Sequence, residues 1–164
     1  MIDINKVGRG SRSVLPFVHT VYNYTALAQP KTVFEIGSGR YAFSQAILAA
    51  LEKTGGHLFT CDPKPKIQYH HPQMTFMLAT SNQVAQNWRK PIHLLMIDGD
   101  HTYPQVKQDC HNFFPYVTSE GLIIFHDINV GSAPGVKKLW NEIKPHHKIL
   151  AELLDWPGLG VIRK

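Results

Sequence analysis

The chain has 164 residues, which is about the size of one domain with its own core, and we expect a single domain over residues 1–164. Hydrophobic residues at 43% and charged residues at 18% exclude a disordered chain. No apolar run approaches the roughly 20 residues of a membrane span, and the first residues lack the apolar stretch of a secretion signal. The formal charge of +5 forms no basic block. We therefore expect a cytoplasmic protein with neither membrane nor nucleic-acid partners.

Residues 1–30 are predicted to form a leading helical segment. Apolar side chains recur there at helical spacing, among them Phe17, Val18, Val21 and Leu27. Such a helix could cap a sheet or cover a ligand.

Short apolar segments alternate with helical segments after residue 30. The predicted strands cover residues 32–36, 57–61, 74–78, 92–97, 121–125, 147–153 and 159–163. The predicted helices cover residues 41–53, 81–88, 104–116 and 136–143. Residues 92–97 are almost continuously apolar, as expected of a strand that is buried on both faces of a parallel sheet. The alternation predicts a parallel sheet with helices on both faces.

The last two predicted strands are joined by a very short link around Pro157. Because a parallel connection needs a crossover of a dozen or more residues, this pair must form an antiparallel hairpin. The predicted fold class is therefore α/β, with a doubly wound seven-stranded sheet that is mostly parallel and has an antiparallel C-terminal hairpin.

Polar or flexible residues follow four of the predicted strands. Ligands of doubly wound sheets bind beyond the carboxyl ends of the strands, so these residues should converge on one edge. The four groups are the turn Gly37–Ser38–Gly39, then Asp62, then the run Asp98–Gly99–Asp100–His101, and finally His126–Asp127. Asp62 follows Glu35 by one βαβ step and could accept hydrogen bonds from a ribose diol.

The glycine turn and the later acidic motifs resemble a known enzyme family. Residues 33–39, VFEIGSG, resemble the first motif of class I S-adenosylmethionine-dependent methyltransferases. Residues 96–103, MIDGDHTY, followed by Val106, Asp109 and GLIIFHD at 121–127, are similar to the small-molecule catechol and macrolide-sugar O-methyltransferases. The likeness extends over residues 31–143 and implies a Rossmann-like fold, S-adenosylmethionine as cofactor, and a small-molecule hydroxyl as methyl acceptor.

The resemblance also implies roles for individual residues. Glu35, Gly37, Ser38 and Gly39 would line the methionine half of the cofactor, Ser44 would reach its carboxylate, Asp62 would hold the ribose, Thr80 and Ser81 would flank the adenine, and Asp98 would face the sulfonium. In metal-dependent relatives, acids at the ends of the fourth and fifth strands bind Mg²⁺, which here means Asp98 and Asp127. The motif's later glycine is replaced in the run Arg40–Tyr41–Ala42.

Methyl transfer to a hydroxyl needs a base, or a cation that lowers the pKa of the hydroxyl. The catalytic candidates are His101, His126 and Asp98, because imidazole titrates near neutral pH. After the fourth strand the chain lacks the Asn/Asp-Pro-Pro-aromatic motif of enzymes that methylate amines, which favours an oxygen acceptor.

Three other functions are compatible with these residues. An NAD-linked oxidoreductase uses a similar βαβ start, here with Ala42 at the last position of its glycine motif. A non-catalytic module could bind a nucleoside cofactor without turnover. A metal-dependent hydrolase could use a cluster composed of Asp98, Asp100, His101, His126 and Asp127. The short inserted loops also suggest an open pocket that a second subunit of a homodimer could complete.

Overall fold

Seven strands form one mixed sheet in the order β3-β2-β1-β4-β5-β7-β6. The structure, a computed structural model, describes residues 1–9, 11–131 and 134–164. The strands are β1 (Thr32–Ile36), β2 (His57–Cys61), β3 (Met74–Met77), β4 (Ile92–Ile97), β5 (Val117–His126), β6 (Lys148–Leu153) and β7 (Leu159–Arg163). The strands from β3 to β5 pair in parallel, whereas β7 is antiparallel to both β5 and β6. The predicted fold class is confirmed.

Helices cover both faces of this sheet. They are α1 (Val18–Ala28), α2 (Ala42–Thr54), α3 (Ser81–Ala85), α4 (Tyr103–Phe113) and α5 (Pro134–Ile143). Within β4, Leu94 and Met96 join a core with residues of α1 and α2, and the alternate residues Leu95 and Ile97 join a second core with residues of α4 and α5. The period of two along the strand therefore divides its apolar run between two cores. Among the described residues, no helix has both the length and the apolarity to span a bilayer.

Several element boundaries differ from the predicted ones, and the structure gives the reason for three of them. The leading helix begins only at Val18, because Pro16 lies in a preceding 3-10 turn. Helix α3 ends at Ala85, and Trp88 leaves the helical path to pack against Phe34 with the two rings tilted and their centroids 4.6 Å apart. Strand β5 starts four residues early, because the buried Val117 pairs with Ile92 at the start of β4, and a register shift separates this pair from the rest of the ladder.

The sheet order places a topological switch point between β1 and β4. From β1 the chain proceeds outward to β2 and β3, and from β4 it proceeds in the opposite direction to β5. The connections that follow β1 and β4 therefore diverge at their carboxyl ends and leave a crevice. In open α/β sheets, this crevice is where ligands bind.

Candidate active site

A cavity of about 530 Å³ lies at the switch point, within the roughly 300–1,000 Å³ range of small-molecule sites. Its wall combines the β1–α2 turn, the residues after β2 and β4, the start of α3, one face of α4, and two residues of the leading segment, Ser11 and Val14. The predicted cofactor residues that line it are Glu35, Gly37, Ser38, Gly39, Asp62, Thr80, Ser81 and Asp98. The structure thus brings eight of the nine together.

The β1–α2 turn approaches both β4 and Asp62 closely. Gly37 has φ +88°, and a Cβ there would overlap the backbone carbonyl of Asp98. The backbone N–H of Gly39 donates a hydrogen bond to Asp62 Oδ2 at 2.8 Å. The hydroxyl of Ser38 is buried and has no hydrogen-bond partner among the described residues. The glycine turn and Asp62 therefore share one crevice, which contains an unpaired hydroxyl group.

Tyr41 occupies a left-handed backbone conformation directly before α2, with φ 60° and ψ 25°. This conformation favours glycine, because an L side chain crowds the following carbonyl. The side chain is nonetheless buried and packs against Tyr69 and Phe76, with ring centroids 5.4 and 5.9 Å away. Aromatic packing holds Tyr41 in a conformation that would otherwise favour a glycine.

Glu35 and Ser44 form a buried pair beneath the glycine turn. The Ser44 hydroxyl donates to Glu35 Oε2 at 2.5 Å, and the Thr60 hydroxyl donates to the same oxygen at 2.6 Å. Burial raises the pKa of Glu35 to about 7, although the two hydroxyl donors partly offset it. Glu35 lines the cavity, but the hydroxyl of Ser44 is engaged by Glu35, and Ser44 is not part of the wall.

Thr80 and Ser81 mark the start of α3 at the end of the cavity that adjoins α4. The Thr80 side chain accepts a hydrogen bond from Gln83 N and completes a capping box with that residue. The Ser81 hydroxyl donates to Asp109 Oδ1 at 2.6 Å. The cap holds the start of α3, and the bond from Ser81 to Asp109 joins this predicted adenine end of the cavity to α4.

Two aspartates and two histidines meet at the tips of β4 and β5. His126 Nδ1 lies 2.8 Å from Asp98 Oδ1 and 3.2 Å from Asp127 Oδ2. His101 Nε2 lies 2.9 Å from Asp127 Oδ2 and 3.8 Å from Asp98 Oδ1. Asp127 has φ 63°, an uncommon conformation that is typical of functional positions. All four predicted catalytic and metal residues are neighbours.

The ring of His126 is fully engaged in protein contacts. Its Nε2 donates to the backbone carbonyl of Ser13 at 3.1 Å, and its Nδ1 faces the carboxylate of Asp98. Both nitrogens therefore face acceptors, so the geometry suits the doubly protonated imidazolium. Phe17 and Phe43 cover the ring edge-on, and only 3% of the side chain is exposed. His126 connects the leading segment to the strand tips.

His101 is the more accessible of the two imidazoles, with 39% of its side chain exposed. It lines a second cavity, which includes Tyr103, Lys138 and Asp100, and Asp100 also lines the first cavity. Contact with Asp127 and then with Asp98 raises the pKa of His101 to about 10. The contact with Asp127 is close but lacks hydrogen-bond alignment, so it is an ion pair.

The aspartates reinforce the positive charge of both rings. Burial alone would lower the pKa of His126, but the charge of Asp98 and hydrogen bonds to both aspartates raise it to about 10. Burial likewise opposes ionisation of Asp127, yet the two histidines hold its pKa well below the usual range. Without a bound cation, both histidines therefore carry a proton at neutral pH.

Three donor atoms of this cluster could hold a metal ion. One ligand atom each from Asp98, His101 and Asp127 lies within 4.8 Å of the other two. Asn129, which follows the strand-five acid, is directed elsewhere: its amide donates to Leu154 O, and its oxygen accepts from Lys137. Two carboxylates are sufficient protein ligands for Mg²⁺, which commonly retains several waters.

Sequence reasoning missed several residues of the site. Ser11, Val14 and the carbonyl of Ser13 reach it from the leading segment, far from the strand tips along the chain. Gln105 and Asp109 reach it from one face of α4. The motif that carries the family resemblance includes Asp109 but gives it no role. The spacing of four residues on a helix was a further signal, since such residues lie on the same face.

Comparisons with known proteins agree with the fold. A sequence profile described as a methyltransferase domain matches residues 34–128, more than half of the chain. The chain therefore belongs to the methyltransferase domain family. This result confirms the resemblance to class I S-adenosylmethionine-dependent methyltransferases and identifies the chain as a methyltransferase.

Solved structures share the whole architecture at low sequence identity. A Staphylococcus aureus protein, provisionally assigned as a caffeoyl-CoA O-methyltransferase, has a TM-score of 0.73 at 18% identity and covers 91% of this chain and 83% of its own. The S-adenosylhomocysteine-bound methyltransferase PaMTH1 of Podospora anserina has a TM-score of 0.70 at 13% identity, with coverage of 89% and 76%. The O-methyltransferase TomG of Streptomyces achromogenes, in complex with S-adenosylmethionine, has a TM-score of 0.68 at 10% identity, with coverage of 90% and 79%.

Proposed function

We propose that the chain binds S-adenosylmethionine in the switch-point cavity and transfers its methyl group to a hydroxyl of a small molecule. The observation that carries the proposal is the hydrogen bond from Gly39 N–H to Asp62 inside that cavity. It places a backbone turn that a ligand can approach closely beside a carboxylate suited to a ribose diol. The strand tip that bears Asp98 opens onto the same space.

The residues present fit this cofactor. Gly37 lets the β1–α2 turn lie directly against the backbone of Asp98, and Ser38 offers a buried hydroxyl with no partner among the described residues. Asp62 would hold the ribose, Glu35 would face the cationic methionine end, and Thr80 with Ser81 would flank the base. When bound, the cofactor supplies a methyl group that its sulfonium already activates. The chain needs mainly to orient the acceptor for in-line attack.

His101 is our candidate for the base that accepts the proton of the acceptor hydroxyl. This role requires a cation held by Asp98 and Asp127 to displace the proton that His101 otherwise carries. It lines the second cavity, which adjoins the first at Asp100, so an acceptor placed there would lie between the ring and the cofactor. His126 has no nitrogen free for proton transfer, because both face acceptors. We assign His126 to holding Asp98, Asp127 and the leading segment in place.

The cluster also fits a divalent cation. Asp98 and Asp127 would hold Mg²⁺, with His101 at its edge, and the cation would lower the pKa of an acceptor hydroxyl. The acceptor is proposed to be a small molecule of the cytoplasm. A homodimer in which a second copy closes the open mouth of the cavity is part of the same proposal, and light scattering would test it.

A transfer assay with methyl-labelled S-adenosylmethionine tests the proposed activity. The acceptor panel contains a catechol, a sugar hydroxyl, an amine and a thiol, each with Mg²⁺ or with a chelator. We expect label on a hydroxyl and a loss of roughly 100-fold in kcat for His101→Asn, the usual contribution of a positioned base. The control is Asp155→Asn, which changes an exposed residue that lines neither of the two cavities.

The other functions give different results when this assay is combined with calorimetric titrations of the sulfonium cofactor, NAD and a divalent metal. Cofactor binding without label transfer to any acceptor would indicate a non-catalytic module. Transfer only to the amine would contradict an oxygen acceptor. Binding of NAD in place of the sulfonium cofactor would indicate an oxidoreductase, and metal binding without nucleoside affinity would indicate a hydrolase.

A further inference from the structure

Asp109 of α4 is a buried carboxylate whose bond to Ser81 joins α3 to α4, but the fold and the proposed chemistry leave its second oxygen unexplained. Only 1% of the residue is exposed, and it lies in the wall of the switch-point cavity beside Ser81 and Gln105. Among the described residues, no cation contacts it. A buried carboxylate without a cation is costly unless hydrogen-bond donors satisfy it.

The two oxygens of Asp109 differ in their contacts. Oδ1 accepts from the Ser81 hydroxyl at 2.6 Å and from the Gln105 amide at 2.8 Å. Oδ2 is buried and has no partner among the described residues. The two donors to Oδ1 fix the orientation of the carboxylate, so Oδ2 is a pre-oriented acceptor that lacks its donor.

The polar groups around Asp109 are neutral, and most of them are already hydrogen-bonded. The residues after β3 offer only the neutral Thr80, whose side chain caps α3. Asn82 and Gln105 hydrogen-bond to each other, so their amides are already partly engaged. Asp109 is therefore the one carboxylate among the described residues of this wall segment, formed by Thr80, Ser81, Asn82, Gln105 and Asp109.

We propose that Asp109 is the residue that selects the nucleobase, with Oδ2 accepting a hydrogen bond from the exocyclic amine of adenine. The inference rests on the proposed binding of a nucleoside cofactor with its base toward α3. Burial raises the pKa of Asp109, so a donor to the unpaired oxygen would favour the ionised form. A 6-keto base would place a second acceptor against Oδ2 and would be rejected.

The test compares S-adenosylhomocysteine with S-inosylhomocysteine by calorimetry. The wild-type chain should bind the adenosyl compound about 10- to 100-fold more tightly, the usual range for a hydrogen bond to a charged group. Asp109→Asn should invert the preference. The donors Ser81 and Gln105 will hold the amide oxygen at the Oδ1 position, which leaves the amide N–H₂ at the Oδ2 position, facing the keto oxygen. Asp155→Asn is the matched control and should keep the wild-type ratio.

If Asp109 has only a structural role, Asp109→Asn will weaken binding of both nucleosides equally. The ratio of the two affinities will then stay unchanged, and this result would overturn the inference. If the wild-type chain binds neither compound, the proposed function fails and the inference fails with it. Should Asp109→Asn not fold, Asp109→Glu keeps the charge but displaces the oxygen. That variant should lose the preference for the adenosyl compound, and full retention of the preference would also overturn the inference.

Discussion

Tyr41 combines backbone strain with side-chain burial at the entrance of α2. A left-handed backbone costs a non-glycine residue roughly 1–2 kcal/mol, whereas burial of the ring against Tyr69 and Phe76 is favourable. The sequence shows only that a tyrosine stands where the motif has a glycine. The structure shows that Tyr41 itself adopts the left-handed conformation that glycine favours.

Two substitutions at Tyr41 separate these effects. Both Tyr41→Ala and Tyr41→Gly remove the ring, and Tyr41→Ala should lower the free energy of unfolding by about 3 kcal/mol. Glycine also relieves the strain, so Tyr41→Gly should be more stable than Tyr41→Ala by about 1 kcal/mol in urea titrations. At an ordinary helical position alanine would be the more stable of the two, and that order would contradict the account.

Glu35 should make the ligand-free chain less stable at alkaline pH. Its pKa is about 7 in the folded chain against 4.5 for an exposed glutamate, so the folded state binds the proton more tightly. The stabilisation is complete below pH 4.5 and is lost as the pH rises through 7.

Glu35→Gln should remove this pH dependence. The variant should match the wild type near pH 4 and exceed its free energy of unfolding by up to about 3 kcal/mol at pH 8. Urea titrations at both pH values measure the difference. If Glu35→Gln changes the free energy of unfolding equally at the two pH values, the titration of Glu35 is not the cause of the pH dependence.

At the scale of elements, the leading segment depends on contacts with distant strands. His126 donates to Ser13 O, and the hydroxyl of Tyr24 donates to Leu150 O at 3.0 Å. Loss of the imidazole would free residues 11–14 and would also leave Asp98 and Asp127 without one of their two cationic partners.

His126→Phe should therefore detach the leading segment while keeping an aromatic ring between Phe17 and Phe43. We expect a loss of about 3 kcal/mol of stability, as for other broken buried charge pairs, and faster tryptic cleavage after Arg9 and Arg12. His111→Phe, on the exposed side of α4, is the control. An unchanged cleavage rate at the two arginines would contradict the anchoring role of His126.

The accuracy of prediction from sequence also differs between elements. The buried strands β1, β2 and β4 have the predicted bounds, because parallel central strands are continuous apolar runs with abrupt polar ends. The boundary of α3 depends on tertiary packing of Trp88, and the start of β5 depends on pairing of Val117 with β4 across a register shift. Local sequence carries no signal for either of these features.

The same distinction applies to the site. Strand-end position was enough to predict that Gly37, Asp62, Asp98 and Asp127 would converge on one edge of the sheet. It could not reveal that Ser44 is engaged by Glu35, or that the carbonyl of Ser13 is an acceptor for His126. Those contacts join residues on different elements, and only the assembled fold determines them.

At the scale of the whole molecule, strand order determines the location of the chemistry. The switch between β1 and β4 opens the crevice, the glycine turn and Asp62 border it, and the paired aspartates and histidines stand at the tips of β4 and β5. The family assignment agrees with this arrangement, because the matched region, residues 34–128, contains all of these tips.

Calorimetric titration with S-adenosylhomocysteine and, separately, with NAD tests the central claim most directly. We predict saturable one-to-one binding of the thioether nucleoside, no heat with NAD, and a loss of at least about 10-fold in affinity for Asp62→Ala, which removes a charged acceptor. Asp155→Asn should bind like the wild type. Absence of binding to the wild type, or undiminished binding to Asp62→Ala, would contradict the placement of the cofactor in this crevice.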